Sequence, residues 1–503
     1  MKLNKLFFLV LILLLVASCG DGGSSGGSGS STATLSSITV TPANPRIYYL
    51  KATEQFTATG TYSDNTTKNI TTSVAWSSSS AAATISNTAG SNGMVTALAA
   101  GTTTIAASLE SVSGSTVLTV IPSTVIPNNV LTLTVNGSLC STGSYPNKPC
   151  VSVTVCSPST AICQTINDIL LDTMSYGLRI FKSVLTGVSL TQIASGSGSL
   201  TECVQYADGS ADWGPVQTAV VVLGNEPAVT VPIQVIDATF GTTTRNIRNL
   251  CGTPDTSPSV AGFNGILGVG PFAEDCGSEC TPAQDTTGTN GTYYSCNGSS
   301  CTGTAIPLSS QVKNPVVLLP LDNNGVIVQL PGINIGGSPS VNGFLVLGID
   351  TQSNNGPLSG VKAYATDQNG DFTTTFQNIP LNSFIDIGSN GLFFPSSYLS
   401  SSSPPYYDLT SQIPDCTDNT GWFCPPLTPP STVSFSAYTP NGKVNFQIGN
   451  ADTLFSSSNN VFDELGGSDT SFDWGLPFFL GRSVYVGIEG KTSSLGTGPY
   501  CAY

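Results

Sequence analysis

Ile169-Leu170-Leu171-Asp172-Thr173-Met174-Ser175-Tyr176-Gly177-Leu178 and, at an offset of 214 residues, Phe384-Ile385-Asp386-Ile387-Gly388-Ser389-Asn390-Gly391-Leu392 are the stretches that decide the fold. In each, a short apolar run of strand type leads into an Asp on a Gly/Ser turn. The Asp, Ser, Gly and Leu coincide without a gap. Ile266-Leu267-Gly268 follows Asp172 by 96 residues and Phe479-Leu480-Gly481 follows Asp386 by 95. Two motifs in matching order predict a duplicated lobe of roughly 190 residues. A duplication of this kind brings two like carboxyls together across a pseudo-twofold axis. They cannot both ionise cheaply, so they hold one proton between them; the charged one serves as base and the neutral one as donor.

The rest of the composition narrows the chemistry. The chain has 503 residues, only 9% of them charged, with 53 Gly and 32 Pro, which predicts an all-β protein rather than a helical bundle. Thirty acids against 15 bases, with no basic cluster, exclude a nucleic-acid partner. The absence of histidine excludes Ser/His and Cys/His nucleophile pairs and His-based metal centres. Chemistry on this chain must come from carboxylates, hydroxyls or lysine. No cofactor or metal is implied, and no oligomeric state.

At the N-terminus, Lys2 and Lys5 precede an apolar run from Leu6 to Val16, too short for a permanent span. Val16-Ala17-Ser18-Cys19 resembles a bacterial lipobox. Residues 1–18 are accordingly expected to be a signal peptide, with Cys19 lipidated and residues 19–33 forming a flexible tether on the order of 20 Å long. Gly20 after the lipidated position implies, by resemblance to sorting signals, a lipid-anchored place in the cell envelope, at the outer membrane of a Gram-negative cell. Of the 13 cysteines other than Cys19, the close pairs Cys140/Cys150, Cys156/Cys163, Cys276/Cys280, Cys296/Cys301 and Cys416/Cys424 suggest small loop-closing bridges. A zinc site over Cys276 to Cys301 is the rival reading. The odd total leaves at least one thiol over.

Residues 34–120 alternate apolar and polar in short runs, as in an antiparallel sandwich. Val40-Thr41-Pro42, Phe56 to Asp64, Val74-Ala75-Trp76-Ser77, Gly93-Met94-Val95-Thr96-Ala97 and Gly101-Thr102-Thr103-Thr104-Ile105 resemble a group 2 bacterial Ig-like domain. The resemblance implies a spacer. Residues 121–129 read as a linker to a domain over 130–503, with lobes at about 130–335 and 336–503.

That larger domain resembles the pepsin-like aspartic peptidases. Beyond the two Asp motifs, Gln205-Tyr206-Ala207-Asp208-Gly209-Ser210 looks like the family's flap hairpin, and Gly262 to Gly270 like the strand that threads the first Asp loop. Phe344 to Asp350 resembles the opening of the second lobe, and Leu476 to Gly481 with Val484-Tyr485-Val486 its closing threading strand. The fold implied is an Ig-like sandwich followed by a bilobal double barrel. The site implied is Asp172 and Asp386 sharing a proton, supported by Thr173, Ser175, Gly388 and Ser389. Tyr206, Asp208 and Gly209 on the flap would close over a peptide or protein in the cleft. Two departures bear on activity: Met174 stands where the family has Gly, and Ile387 where it has Thr or Ser. The function expected is a surface-tethered endopeptidase, or alternatively an inactive binding module on its spacer. Glycoside hydrolysis by the same pair would want aromatic platforms, which the four Trp do not supply. Glu202, Asp208 and Asp212 read as solvated turn residues, and Ser400 to Pro430 as a disulfide-tied surface insertion.

Overall fold

A computed structural model describes residues 33–41, 46–47, 53–64, 66–120, 128–141, 145–160, 162–398, 406–427 and 432–503. The expected signal peptide, Cys19, nearly all of the tether and most of the linker lie outside the described residues. Those described are almost entirely β.

The N-terminal module packs short antiparallel strands around one core. Leu35–Thr41 pairs with Thr57–Tyr62, and Val112–Val120 with Gly101–Leu109, which also pairs with Ala75–Ser78. Along Gly101–Leu109 the inward positions Thr103, Ile105 and Ala107 alternate with outward ones, the period of 2 seen in the sequence. They meet Phe56, Trp76, Val95 and Leu118 in the core. Gly114 allows the sheets to touch: a Cβ there would lie 1.9 Å from the Ile38 carbonyl oxygen.

Residues 128–503 form a bilobal all-β body. In the first lobe, Cys163–Asp172 runs parallel to Gly265–Val269, placing Asp172 opposite Gly268. Gly265–Val269 also pairs antiparallel with Tyr176–Phe181, the strand that leaves the Asp turn. A Cβ on Gly268 would sit 2.5 Å from the Ser175 carbonyl carbon, so only Gly lets the turn ride over this strand.

The second lobe repeats the arrangement, with one correction to the sequence reading. Ile379–Ile385 runs parallel to Phe472–Trp474, with Phe384 opposite Asp473 and Ile385 opposite Trp474. Gly475 therefore takes the part of Gly268; a Cβ on it would lie 2.0 Å from the Gly391 carbonyl oxygen. The threading strand is Phe472–Trp474, whereas Leu476–Phe479 is a short helix and Arg482–Gly487 belongs to a different sheet. That sheet joins the lobes: Val130–Val135, Val341–Leu347, Gly325–Leu330, Arg482–Gly487, Tyr500–Ala502 and Ala363–Ala365 lie side by side. Phe344 to Asp350, expected to open the second lobe, thus begins within Val341–Leu347, a strand of the connection.

The second lobe closes around an aromatic cluster centred on Phe376, whose ring meets Phe394, Phe435, Phe446, Phe472 and Tyr407. Tyr407, Leu409, Ile413 and Phe423 are buried in the main core. The segment expected as a surface insertion is therefore part of that core where it is described. All five short-spaced cysteine pairs are bonded, and a sixth bridge joins Cys203 to Cys251. Cys501 is the free thiol among the described residues, buried, with its pKa pushed up to about 12 by desolvation.

Candidate functional site

The two Asp turns meet where the lobes meet. On the first, Asp172 Oδ1 accepts from the Met174 and Ser175 amides at 2.7 and 3.0 Å, and Oδ2 from the Ser175 hydroxyl at 2.8 Å. On the second, Asp386 Oδ1 accepts from the Gly388 amide at 2.8 Å and Oδ2 from the Ser389 hydroxyl at 2.8 Å. The two carboxyls lie on either side of Gly388, close enough to act on each other. Burial, and next the Asp172 charge, push the Asp386 carboxyl well above the usual range against the donors Ser389 and Gly388.

The supporting residues differ between lobes. Thr173, 1% exposed, reaches across: its hydroxyl donates to the Ile385 carbonyl at 2.9 Å and accepts from the Ile387 amide at 3.0 Å. Ile387 has no hydroxyl to return the contact, and its side chain is buried. Gly388 is needed as Gly, since a Cβ would stand 3.1 Å from both Asp172 Cγ and Asp386 Oδ1. Met174 braces Asp172 through its backbone amide, while its Cε lies 3.4 Å from where a Cβ on Gly370 would be.

In the first lobe, Gly198–Gln205 and Ser210–Val222 form a hairpin whose turn holds Tyr206, Asp208 and Gly209. Gly209 has φ +86°, and Asp208 accepts from the Ser210 amide at 2.9 Å, as an Asp-Gly turn requires. The Tyr206 hydroxyl donates to Asp212 Oδ2 at 2.9 Å, tying the ring to its own hairpin. Tyr206 packs against the cluster of Phe181, Phe263 and Ile266.

Asp208 is exposed, but Glu202 and Asp212 are fully buried, correcting the expectation that they are solvated. They belong to a polar network behind the hairpin. Arg179 Nη2 bonds Glu202 Oε1 at 2.7 Å and Asp275 Oδ2 at 3.3 Å, and the Tyr293 hydroxyl donates to Asp275 Oδ1 at 2.6 Å. Burial lifts the Asp212 carboxyl to about 7, opposed by Tyr206 and Arg179 and helped by Asp255 and Asp208. The native state therefore binds a proton that the unfolded chain, at 3.8, has already lost. Stability should fall as pH rises from about 4 to about 7, by a few kcal/mol. Asp212→Asn should flatten that slope in thermal melts across the window; an unchanged slope would show that Asp212 is ionised throughout.

Further residues at the site escaped the sequence reading. Asn147, in the left-handed region at φ 54°, is fully buried and bonds the second lobe four times: its side chain to the Asn390 and Phe462 carbonyls and from the Phe462 amide, and its own amide to the Asn460 carbonyl. The Tyr145 hydroxyl faces the Gly388 carbonyl at 3.4 Å. Asp473 is 4% exposed beside the second turn. A buried Asn at positive φ gives no periodic signal, and Asp473 occupies the place of an apolar residue.

What fold and site define is a two-lobed all-β body with paired acids at its junction, preceded by an Ig-like module. The chain belongs to the family described as Protein of unknown function (DUF3443), which matches residues 125–503. Residues 35–120 match the bacterial Ig-like domain (group 2). Ice-binding protein 1 of Shewanella frigidimarina is 33% identical over 198 residues, 37% of this chain and 21% of that protein. The match thus spans about a fifth of that relative.

Proposed function

We propose that residues 125–503 are a pepsin-like module that holds an extended stretch of polypeptide in the cleft between its lobes, over Asp172 and Asp386, without cutting it. In this reading a lipid on Cys19 anchors the chain at the outer membrane, and the Ig-like module spaces the cleft from it. The carrying observation is the paired turns: two carboxyls close enough to act on each other, each braced by its own serine, with a first-lobe hairpin carrying Tyr206 at its tip. Three features favour holding over cutting. The cross-lobe tie is one-sided because the Ile387 side chain has no hydroxyl, Met174 stands where the pepsin-like pattern has Gly, and Tyr206 is bonded back to Asp212. Displacement of a reacting group by about 1 Å can cost about 100-fold in rate.

Fluorescence anisotropy of unstructured peptides with the full chain tests the reading. Binding should be competed by a statine-type peptide and lost in Gly388→Leu, whose side chain fills the floor of the cleft. Equal binding to wild type and Gly388→Leu would sink it. Cleavage is the second reading, favoured by the juxtaposition of the Asp172 and Asp386 carboxyls about Gly388. Peptide cutting abolished by both Asp172→Asn and Asp386→Asn would establish it in place of the first. Ile387→Thr, which offers the missing hydroxyl, should then raise the rate about tenfold or more.

A further inference from the structure

The strand that threads the second Asp turn carries an acid where the first lobe has an apolar residue. Leu170 lies opposite Ile266 in the first lobe, and Phe384, its counterpart, lies opposite Asp473 in the second. Ile266 packs with Leu170, Phe181 and Phe263. Asp473, only 4% exposed, has Oδ1 buried without a partner, and its carboxyl is within hydrogen-bond reach of Ser389. The Ser389 hydroxyl also meets Asp386 Oδ2 at 2.8 Å. Ser389 thus stands between two carboxyls and has one hydrogen to give. Were both carboxylates, one would be left facing a bare hydroxyl oxygen in the interior, which is costly. A proton on Asp473 resolves the conflict: the acid donates to Ser389 Oγ, and Ser389 donates to Asp386.

We propose that Asp473 is a positioning residue, a neutral acid that orients the Ser389 hydroxyl toward Asp386 in a chain running Asp473 O–H to Ser389 O–H to Asp386 Oδ2. The charged groups that act most strongly on Asp473 are acids, Asp386 first and then Asp469 and Asp172. Burial and these charges push its carboxyl well above the usual range, which keeps the proton in place. The first turn has no such third member, since Ser175 braces Asp172 with Ile266 behind it. Support for Asp386 therefore depends on pH. When Asp473 finally ionises, it competes for the single hydrogen of Ser389, and Asp386 loses its outer donor.

The consequence for a ligand rests on the cleft reading above, but the chain itself can be tested without one. A diazoacetyl ester esterifies protonated carboxyls, and mass spectrometry of the peptides holding Asp172 and Asp386 reads the extent. The pH midpoint of labelling at Asp386 is the quantity to compare in the full chain. Asp473→Asn keeps a donor toward Ser389 and should leave the midpoint where it is. Asp473→Ile, which copies Ile266, leaves Ser389 unoriented and should raise the midpoint by about one pH unit, a tenfold change in proton affinity. Ser389→Ala, which removes the middle link, should give the same rise and serves if Asp473→Ile does not fold. A midpoint unmoved in Asp473→Ile, or moved equally by Asp473→Asn, would overturn the proposal. Absence of peptide binding, with the midpoints behaving as stated, would overturn only the cleft reading.

Discussion

Arg179→Met should lower stability by about 3–5 kcal/mol, visible as a large drop in the urea midpoint. The expectation follows from how little surrounds the ion pair. Arg179 is 1% exposed and Glu202 fully buried, while Arg179 Nε and Glu202 Oε2 have no partners. Burial first, and Glu202 next, push the Asp275 carboxyl well above the usual range, so Asp275 enters the cluster protonated. The cluster is then one guanidinium balanced by one carboxylate. Removing the cation leaves Glu202 charged in a dry interior, and the cost is that of an unpaired buried charge rather than of a lost contact. A double replacement of Arg179 by Met and Glu202 by Leu should recover most of the loss. If it does not, the shape of the pair matters more than its charge. Arg179 also donates to the Tyr176 carbonyl at 2.8 Å, and Glu202 lies on a strand of the hairpin, so the pair couples the end of the first Asp turn to the hairpin.

Thr173→Val carries the second large effect. The substitution is nearly isosteric, yet it strands the Ile385 carbonyl and the Ile387 amide, both on the opposite lobe. Two unsatisfied buried groups cost about 3 kcal/mol together. Amide exchange at Ile387 should accelerate about 100-fold, whereas Thr173→Ser, which keeps the hydroxyl, should leave exchange within a few-fold of wild type. Protection at Ile387 that survives Thr173→Val would mean that the lobes are held together here by packing alone.

The duplicated Asp turns were legible in the sequence because both ends of the motif are fixed by steric need. A strand must stop, a carboxyl must turn inward, and a small residue must follow. The threading strand of the second lobe was misplaced for an equally physical reason. Phe479-Leu480-Gly481 repeats the apolar-apolar-Gly form of Ile266-Leu267-Gly268, whereas the true strand, Phe472–Trp474, carries an acid at its centre. Pattern reading assigns acids to the surface, which is correct until another group supplies the proton or the counter-charge. Glu202 and Asp212 were misread in the same way: their partners Arg179 and Tyr206 stand 23 and 6 residues off in sequence. Short-range disulfides were readable from spacing, while Cys203–Cys251, separated by 48 residues, was not.

The bridges have a bearing on how the chain reaches this structure. Five of the six join cysteines no more than 10 residues apart. For Cys276–Cys280, Cys296–Cys301 and Cys416–Cys424 each partner is the nearest sulfur along the chain, so these pairings form at high effective concentration before any long-range contact exists, whereas Cys150 and Cys156 lie closer in sequence to each other than to their partners and need the strand pairing to choose between them. Cys203 and Cys251 must wait for the hairpin and the helix Thr244–Cys251 to meet. The odd thiol among the described residues, Cys501, is buried on the strand Tyr500–Ala502 of the connecting sheet. Withdrawn from solvent once that sheet has formed, it has little opportunity to unpick the bridges.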